Sequence, residues 1–536
     1  MITGSASKSG MSREIPSCTL SVYLESLTAG GQEQRQILRA LAQGCGNGIQ
    51  PDVCRGKIRM SFVSRLNSAC RTSVSLMLAN AIGCGLVMFS GVSAVAQSKP
   101  VKKPSQVSPE IQAILRDVSA KQIEANINKL VSFGNRSTLS SDVPADSGKG
   151  ITAAHEWIKS EFERYSKECG GCLEVKTDDF TESPMDRIPK PTQITNVYAV
   201  LKGTDPANAD RIVLVTGHYD SRNSTNENTT DPAPGANDDG SGTAVSLECA
   251  RVLSKHKFPA TIIFLTVAGE EQGLNGSKHF AKMARAQGWQ IEAALNNDIV
   301  GGNKTPGDTT QNPHTVRVFS EGVPANATEA DLRLIRATGT ENDSPSRELA
   351  RYVGEVGKAD LPKTFQPTLI YRRDRFLRGG DHSSFNMEGF AAVRFTEWRE
   401  DFHHQHQNLR TENGIEYGDL PKFVDFEYVA NVARLNAITL ATLAMAPAPP
   451  DNARLQTKDL ENGTTITWKP SPGGLATGYE VVWRNTSSPD WEESKGFPAD
   501  ANSAKIDVSK DNVIFGIRAV GKNGLKSPVV IPPPER

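Results

Sequence analysis

Between Pro109 and Ala444 the apolar positions alternate between two rhythms. Ile111, Ile114, Leu115 and Val118, then Ile123, Ile127, Leu130 and Val131, keep helical spacing, and the stretch from Ile151 to Glu168 repeats it. From Asn196 onward, short continuous apolar runs predict strands beginning near Asn196, Arg211, Ala260, Ala293 and Gly389. Amphipathic stretches between them predict helices over Gly242–Leu253 and Gly276–Gln287, and Val424–Ala444 predicts a long closing helix. Strands interleaved with helices predict an α/β fold, with helices on both faces of a mixed, mainly parallel sheet. In such sheets ligands gather at the carboxyl ends of the strands.

The rhythm changes after Met445. Residues 446–452 are rich in Pro and Ala and read as a linker. Beyond them TTITW, YEVVW and FGIRAV are short alternating runs separated by Gly, Pro, Asn and Ser, so residues 453–536 are expected to form an all-β sandwich. The placement of Trp468, Tyr479, Trp483 and Phe515 resembles a fibronectin type III domain, which implies that these aromatics pack its core.

The N-terminal part has a different texture. Residues 1–59 show no sustained periodicity and are expected to be disordered, or an extension from a misassigned start. Lys57, Arg59, Arg65 and Arg71 flank a mostly apolar run from Val74 to Val92, and Ala94-Val95-Ala96 is a small-x-small cleavage pattern. Residues 60–96 therefore read as a signal peptide cleaved near Ala96, followed by a tether over 97–108 and the main domain over 109–445. The expected location is secreted or periplasmic, with no stable membrane anchor after cleavage. The whole chain has a formal net charge of −1, which gives no pointer to nucleic acid. Cys169-Gly-Gly-Cys172 in an exported chain reads as a local disulfide, and Cys249 as a buried, inert thiol.

Candidate chemistry follows the strands. His218 and Asp220 end the run RIVLVTG, and Asp238 and Asp239 open the next helix. Glu270 and Glu271 follow ATIIFLTVAG, Asp298 follows AALNN, and His382 precedes the late strand. Each alone reads as a surface feature or a helix cap. Together they would crowd carboxylates into one crevice, where they repel unless cations compensate. Imidazole and carboxylate donors without thiolate favour zinc. Two Zn2+ ions sharing Asp238 would leave a site for water, with one of the adjacent glutamates on metal and the other free as a general base.

HYD, GANDDGSG, GEEQGLNGS, NND and GGDHSSF, in this order, resemble the dizinc exopeptidase family of bacterial leucyl aminopeptidases and glutamate carboxypeptidases. The resemblance implies the zinc exopeptidase fold and an aminopeptidase acting on peptide or protein substrates through a two-metal-activated water. His218 and Asp298 would hold one zinc, Glu271 and His382 the other, with Asp238 as bridge, Glu270 as base and Asp220 supporting His218. It also implies a cis peptide at Asp238–Asp239. The segment from Gly150 to Asn196 is too short for the protease-associated insertion of many relatives. Tyr371, Arg378 and His404 are candidate substrate contacts, and His403 and His406 lie in the same segment, facing either substrate or solvent. The expected enzyme is a monomer. Two other readings stay open: a single-zinc glutaminyl cyclase, and a non-catalytic binding protein whose working part is the sandwich.

Overall fold

The computed structural model describes residues 108–535, apart from Asn303. The expected extension, signal peptide and nearly all of the tether lie outside the described residues. Two helices, α1 (Pro109–Asp117) and α2 (Ala120–Ser132), lead to α3 (Gly150–Glu168). Then come β1 (Leu173–Glu182), β2 (Thr192–Leu201), β3 (Arg211–His218), α4 (Gly240–Leu253), β4 (Thr261–Val267), α5 (Asn275–Ala286) and β5 (Gln290–Asn297). The second half adds β6 (Thr315–Ser320), α6 (Glu329–Thr338), α7 (Pro345–Asp360), β7 (Gln366–Ile370), α8 (His382–Met387) and β8 (Ala392–Glu397). A small hairpin of β9 (Arg410–Glu412) and β10 (Ile415–Tyr417) precedes the closing helix α9 (Phe426–Met445).

Strands β1 to β8 form one eight-stranded sheet in the order β1-β2-β4-β3-β5-β8-β6-β7. The four central strands β4, β3, β5 and β8 run parallel; β2 joins β4, and β6 joins β8, antiparallel. Period two sorts the central side chains onto two faces. Val213, Val215, Ile262 and Phe264 enter one apolar cluster with α4 and α9. Leu214, Ile263 and Leu265 enter the other with Phe280 of α5 and Phe385 of α8. Both faces are covered, so these strands read as continuous apolar runs. Among the described residues no helix is long and apolar enough to cross a membrane.

Strands β11 (Asp451–Leu455), β12 (Thr464–Lys469), β13 (Ala476–Asn485), β14 (Glu493–Pro498), β15 (Ser503–Ile506) and β16 (Val513–Gly521) form two three-stranded antiparallel sheets, β11-β12-β15 and β14-β13-β16. Trp468, Tyr479 and Phe515 are buried between them with Ile466, Val481 and Ile517. Cys169 and Cys172 are disulfide-bonded, and Cys249 is a buried free thiol.

Candidate metal centre

The central parallel strands end at one crevice. His218 is the last residue of β3, Glu270 and Glu271 sit in the turn after β4, and Asp298 follows β5. Asp238 arrives on the loop that starts α4, across a cis peptide to Asp239. Asp239 caps α4 by accepting from the Gly242 amide at 2.8 Å, and its other oxygen accepts from the His218 amide at 3.0 Å. The helix start is thus tied to the strand end. Gly242 permits the close approach, since a Cβ there would lie 2.1 Å from the Asn297 carbonyl of β5.

Two groups of donors share Asp238. His218, Asp238 and Asp298 form one; Asp238, Glu271 and His406 form the other; within each, the donor atoms lie within 4.8 Å of one another. Asp238 offers one oxygen to each: Oδ1 is 3.2 Å from His218 Nε2, and Oδ2 is 2.8 Å from His406 Nε2. His406 Nε2 also lies 2.9 Å from Glu271 Oε1. His218 Nε2, His406 Nε2 and Glu271 Oε1 are buried and make no well-aligned hydrogen bond despite these close approaches. Buried polar atoms left unpaired cost free energy, so their convergence fits a cation. The donor set, imidazole plus carboxylate without thiolate, fits zinc.

The groups behind these donors fix their geometry. Asp220 Oδ1 lies 3.4 Å from His218 Nδ1, and its carboxylate also accepts from the amides of Glu270 (3.4 Å) and Glu271 (3.3 Å). Asp419 accepts from the Asp238 amide at 2.7 Å and the Asn237 amide at 2.9 Å. Gln405 donates to Asp238 Oδ2 at 2.9 Å. Arg394 pairs with Asp298 Oδ2 at 2.8 Å, and Arg222 with Glu271 Oε2 at 2.9 Å. Glu270 belongs to neither donor group. It lines the cleft above them, a cavity of about 360 Å³ shared with Arg187, Arg222, Arg375 and Arg378. Burial pushes its carboxyl well above the usual range, with Asp298 and Glu271 adding to the rise against the pull of His218.

The structure thus brings His218, Asp238, Glu271 and Asp298 together, with Glu270 beside them and Asp220 behind. It does not bring His382. That side chain is fully buried at the start of α8, its Nε2 is 2.8 Å from the Arg373 carbonyl, and burial pushes its pKa down to about 4. A neutral ring donating to a backbone carbonyl through Nε2 is a structural histidine, and His406 occupies the place expected of it. Two of the candidate substrate contacts also move. The Tyr371 hydroxyl donates to the Pro489 carbonyl at 2.7 Å, away from the cleft. The His404 ring stacks on Phe423 with centroids 3.7 Å apart. Arg378 does line the cleft, and it pairs with Glu400 at 2.7 Å. Sequence reasoning missed Arg222, Arg394, Gln405 and Asp419; none lies in a motif that marks it.

Two triplets of imidazole and carboxylate sharing one aspartate, with a further glutamate at the cleft, define the site of a metal-dependent hydrolase. Residues 196–420 match the model of peptidase family M28. A "Probable zinc metalloprotease" of Pyrenophora teres f. teres (strain 0-1) is 46% identical over 434 residues, covering 80% of this chain and 88% of its own. A "Probable zinc metalloprotease" of Leptosphaeria maculans is 45% identical over 428 residues, 79% of this chain and 97% of its own. Among solved structures, the LapA aminopeptidase of Legionella pneumophila aligns over 65% of this chain and 76% of its own, with 22% identity and a TM-score of 0.42. The chain belongs to peptidase family M28, the family of these zinc metalloproteases.

Proposed function

We propose that the protein is a secreted aminopeptidase that uses two zinc ions and cleaves the N-terminal residue from peptides. The observation that carries this reading is Asp238, which turns one carboxylate oxygen toward His218 and the other toward His406. His218 and Asp298 would hold one ion, Glu271 and His406 the other, and Asp238 both. Bound there, zinc acidifies a water and polarises the scissile carbonyl. Glu270 sits free of both donor groups and takes the proton from the attacking water. From the same position Glu270 would hand that proton to the leaving amine. Asp220, facing His218 Nδ1, holds the ring with Nε2 toward the site. The choice of aminopeptidase rests on the ordered motif set. Export rests on the signal-like segment ending near Ala96, and the C-terminal strands are read as a fibronectin type III-like unit.

A panel of amino-acid anilides and N-blocked dipeptides, assayed with and without a chelator, tests this. Free-amine substrates should turn over and blocked ones should not, and chelation should abolish the turnover. Metal analysis should find two zinc ions per chain; one tightly held ion would overturn the two-ion reading. Glu270→Gln should keep both ions and lower kcat by about 10²- to 10⁴-fold.

A further inference from the structure

The C-terminal β strands sit against the part of the fold that walls the cleft. The turn between β13 and β14 presents the Pro489 carbonyl to two donors, the Tyr371 hydroxyl and Arg351 Nε, each at 2.7 Å. The Arg347 guanidinium lies 3.9 Å and the Arg351 guanidinium 5.5 Å from the Tyr371 ring centroid. Trp491, two residues past Pro489, donates to Glu348 of α7 at 3.0 Å and packs under Arg351 and Arg484. Arg484 and Arg351 both pair with Asp343, and all three are buried.

Tyr371 opens the loop between β7 and α8. Three residues on, Asp374 lies 3.5 Å from Arg394, which grips Asp298. Arg375, Arg378 and Gly379 of the same loop line the cleft. His382, the first residue of α8, fastens the Arg373 carbonyl near the start of the loop. The loop is therefore held at Tyr371 by the C-terminal unit and at Arg373 by α8, and the residues that line the cleft follow directly after.

We propose that the C-terminal β unit positions the substrate cleft, acting through Pro489 and Trp491 on Tyr371 and the loop 371–381, and that Tyr371 is a positioning residue for substrate binding. This rests on the reading of the cleft as a peptidase site. A module that only tethered the enzyme to polymeric substrate would need a mobile joint. Here the joint combines buried ion pairs at Asp343 with hydrogen bonds to the Pro489 carbonyl and from Trp491, which together fix geometry. The cleft wall and the C-terminal unit then move together, and loosening the contact costs substrate affinity before it costs chemistry.

The test uses the full-length, zinc-loaded protein. Tyr371→Phe removes one hydroxyl, Trp491→Ala removes the ring, and Trp491→Phe restores most of it. Leu460→Ala, at a fully exposed position of the C-terminal unit, is the control. Kinetics on an amino-acid anilide are read beside zinc content, thermal unfolding and hydrogen exchange across 371–381. Tyr371→Phe should raise KM about threefold to tenfold with kcat within about twofold, the effect of one lost hydrogen bond acting on binding. Exchange across the loop should quicken and zinc content stay unchanged. Trp491→Ala should do more, and Trp491→Phe should recover part of the loss. Folded variants with the exchange and KM of the parent would overturn the proposal. If Trp491→Ala does not fold, Tyr371→Phe decides. If the parent turns over no peptide, the peptidase reading fails, and loop exchange alone still decides whether the brace exists.

Discussion

His406 and His382 show what a single residue reveals before folding. GGDHSSF places a histidine just ahead of a central strand, which is where ligands collect, so His382 reads as a donor. The backbone turns it instead into α8, where its Nε2 meets the Arg373 carbonyl. His406 lies in DFHHQH among three histidines that look alike in sequence. A left-handed backbone at φ 54° swings it, and not His403 or His404, toward Asp238. That difference is a tertiary one and leaves no mark in spacing. His406→Ala should lose one of the two zinc ions and lower activity at least about 10²-fold, because a donor to the ion is gone. His382→Ala should keep both ions and lose stability alone; metal analysis beside thermal unfolding separates the two. Glu321 yields a prediction in pH. Burial raises its carboxyl to about 7, opposed weakly by the Ala325 amide and two arginines. An acid raised in the fold costs nothing below its unfolded value and is penalised as pH rises through the folded one. Stability should therefore fall between about pH 4.5 and 7 on its account. Glu321→Gln should raise Tm at pH 8 and leave it nearly unchanged at pH 4.

At the scale of elements, the strands that carry the donors were legible because they are buried on both faces and read as unbroken apolar runs. Strand β1 was not. LEVKTDDFTE lies on the sheet's outer edge with only Leu173 and Asp178 buried, and its charges hide the strand. Helix α7 was also missed: its apolar stripe is thin because it buries Glu348 and Arg351 against the C-terminal unit and Arg347 against β6. Residues 219–239 form the long loop between β3 and α4. Its shape comes from Arg136, a fully buried guanidinium donating to the carbonyls of Tyr219 (2.7 Å), Pro234 (2.6 Å), Gly235 (2.9 Å) and Leu130 (3.1 Å). Burial lowers its pKa to about 10, so it stays charged at neutral pH. Gly235 turns with φ 51°, and a Cβ there would meet Ser221 at 2.5 Å. One side chain thus gathers both ends of the loop and delivers Asp238 to His218. Arg136→Met keeps the length and removes all four bonds, leaving buried carbonyls unpaired. It should cost about 3 kcal/mol or more and lower zinc affinity with it. Denaturant unfolding and zinc titration check the two effects; a variant as stable as the parent would remove Arg136 from this role.

For the molecule as a whole, the question is how a crevice of carboxylates folds before zinc arrives. Sequence alone suggested that the acids need cations to coexist, and that inference counted only the motifs. The fold supplies cations of its own from outside them. Arg394 on β8 faces Asp298, and Arg222 faces Glu271. Arg136 is close enough to Asp419, Asp220, Asp239 and Asp238 for each to raise its pKa. His406 is pushed up to about 10, since Glu271 and Asp238 together outweigh the burial that disfavours its charge. The repulsion is therefore largely met before any ion binds, and loading becomes a step separate from folding. Exhaustive chelation should stop activity yet leave the far-UV circular dichroism and a cooperative melt intact. Stability should fall only by the linkage contribution, about 2.7 kcal/mol for each ion at a free zinc concentration of 100 Kd, with Tm lowered to match. Arg394→Met should behave in the opposite sense in the two states. Without zinc it leaves Asp298 an unpaired buried charge and lowers Tm. With zinc, a carboxylate no longer shared with a guanidinium binds the ion more strongly, so the rise in Tm on loading should be larger than in the parent. A chelated protein that loses its secondary structure, or an Arg394→Met variant whose zinc-free Tm equals that of the parent, would show that the arginines do not hold the empty site together.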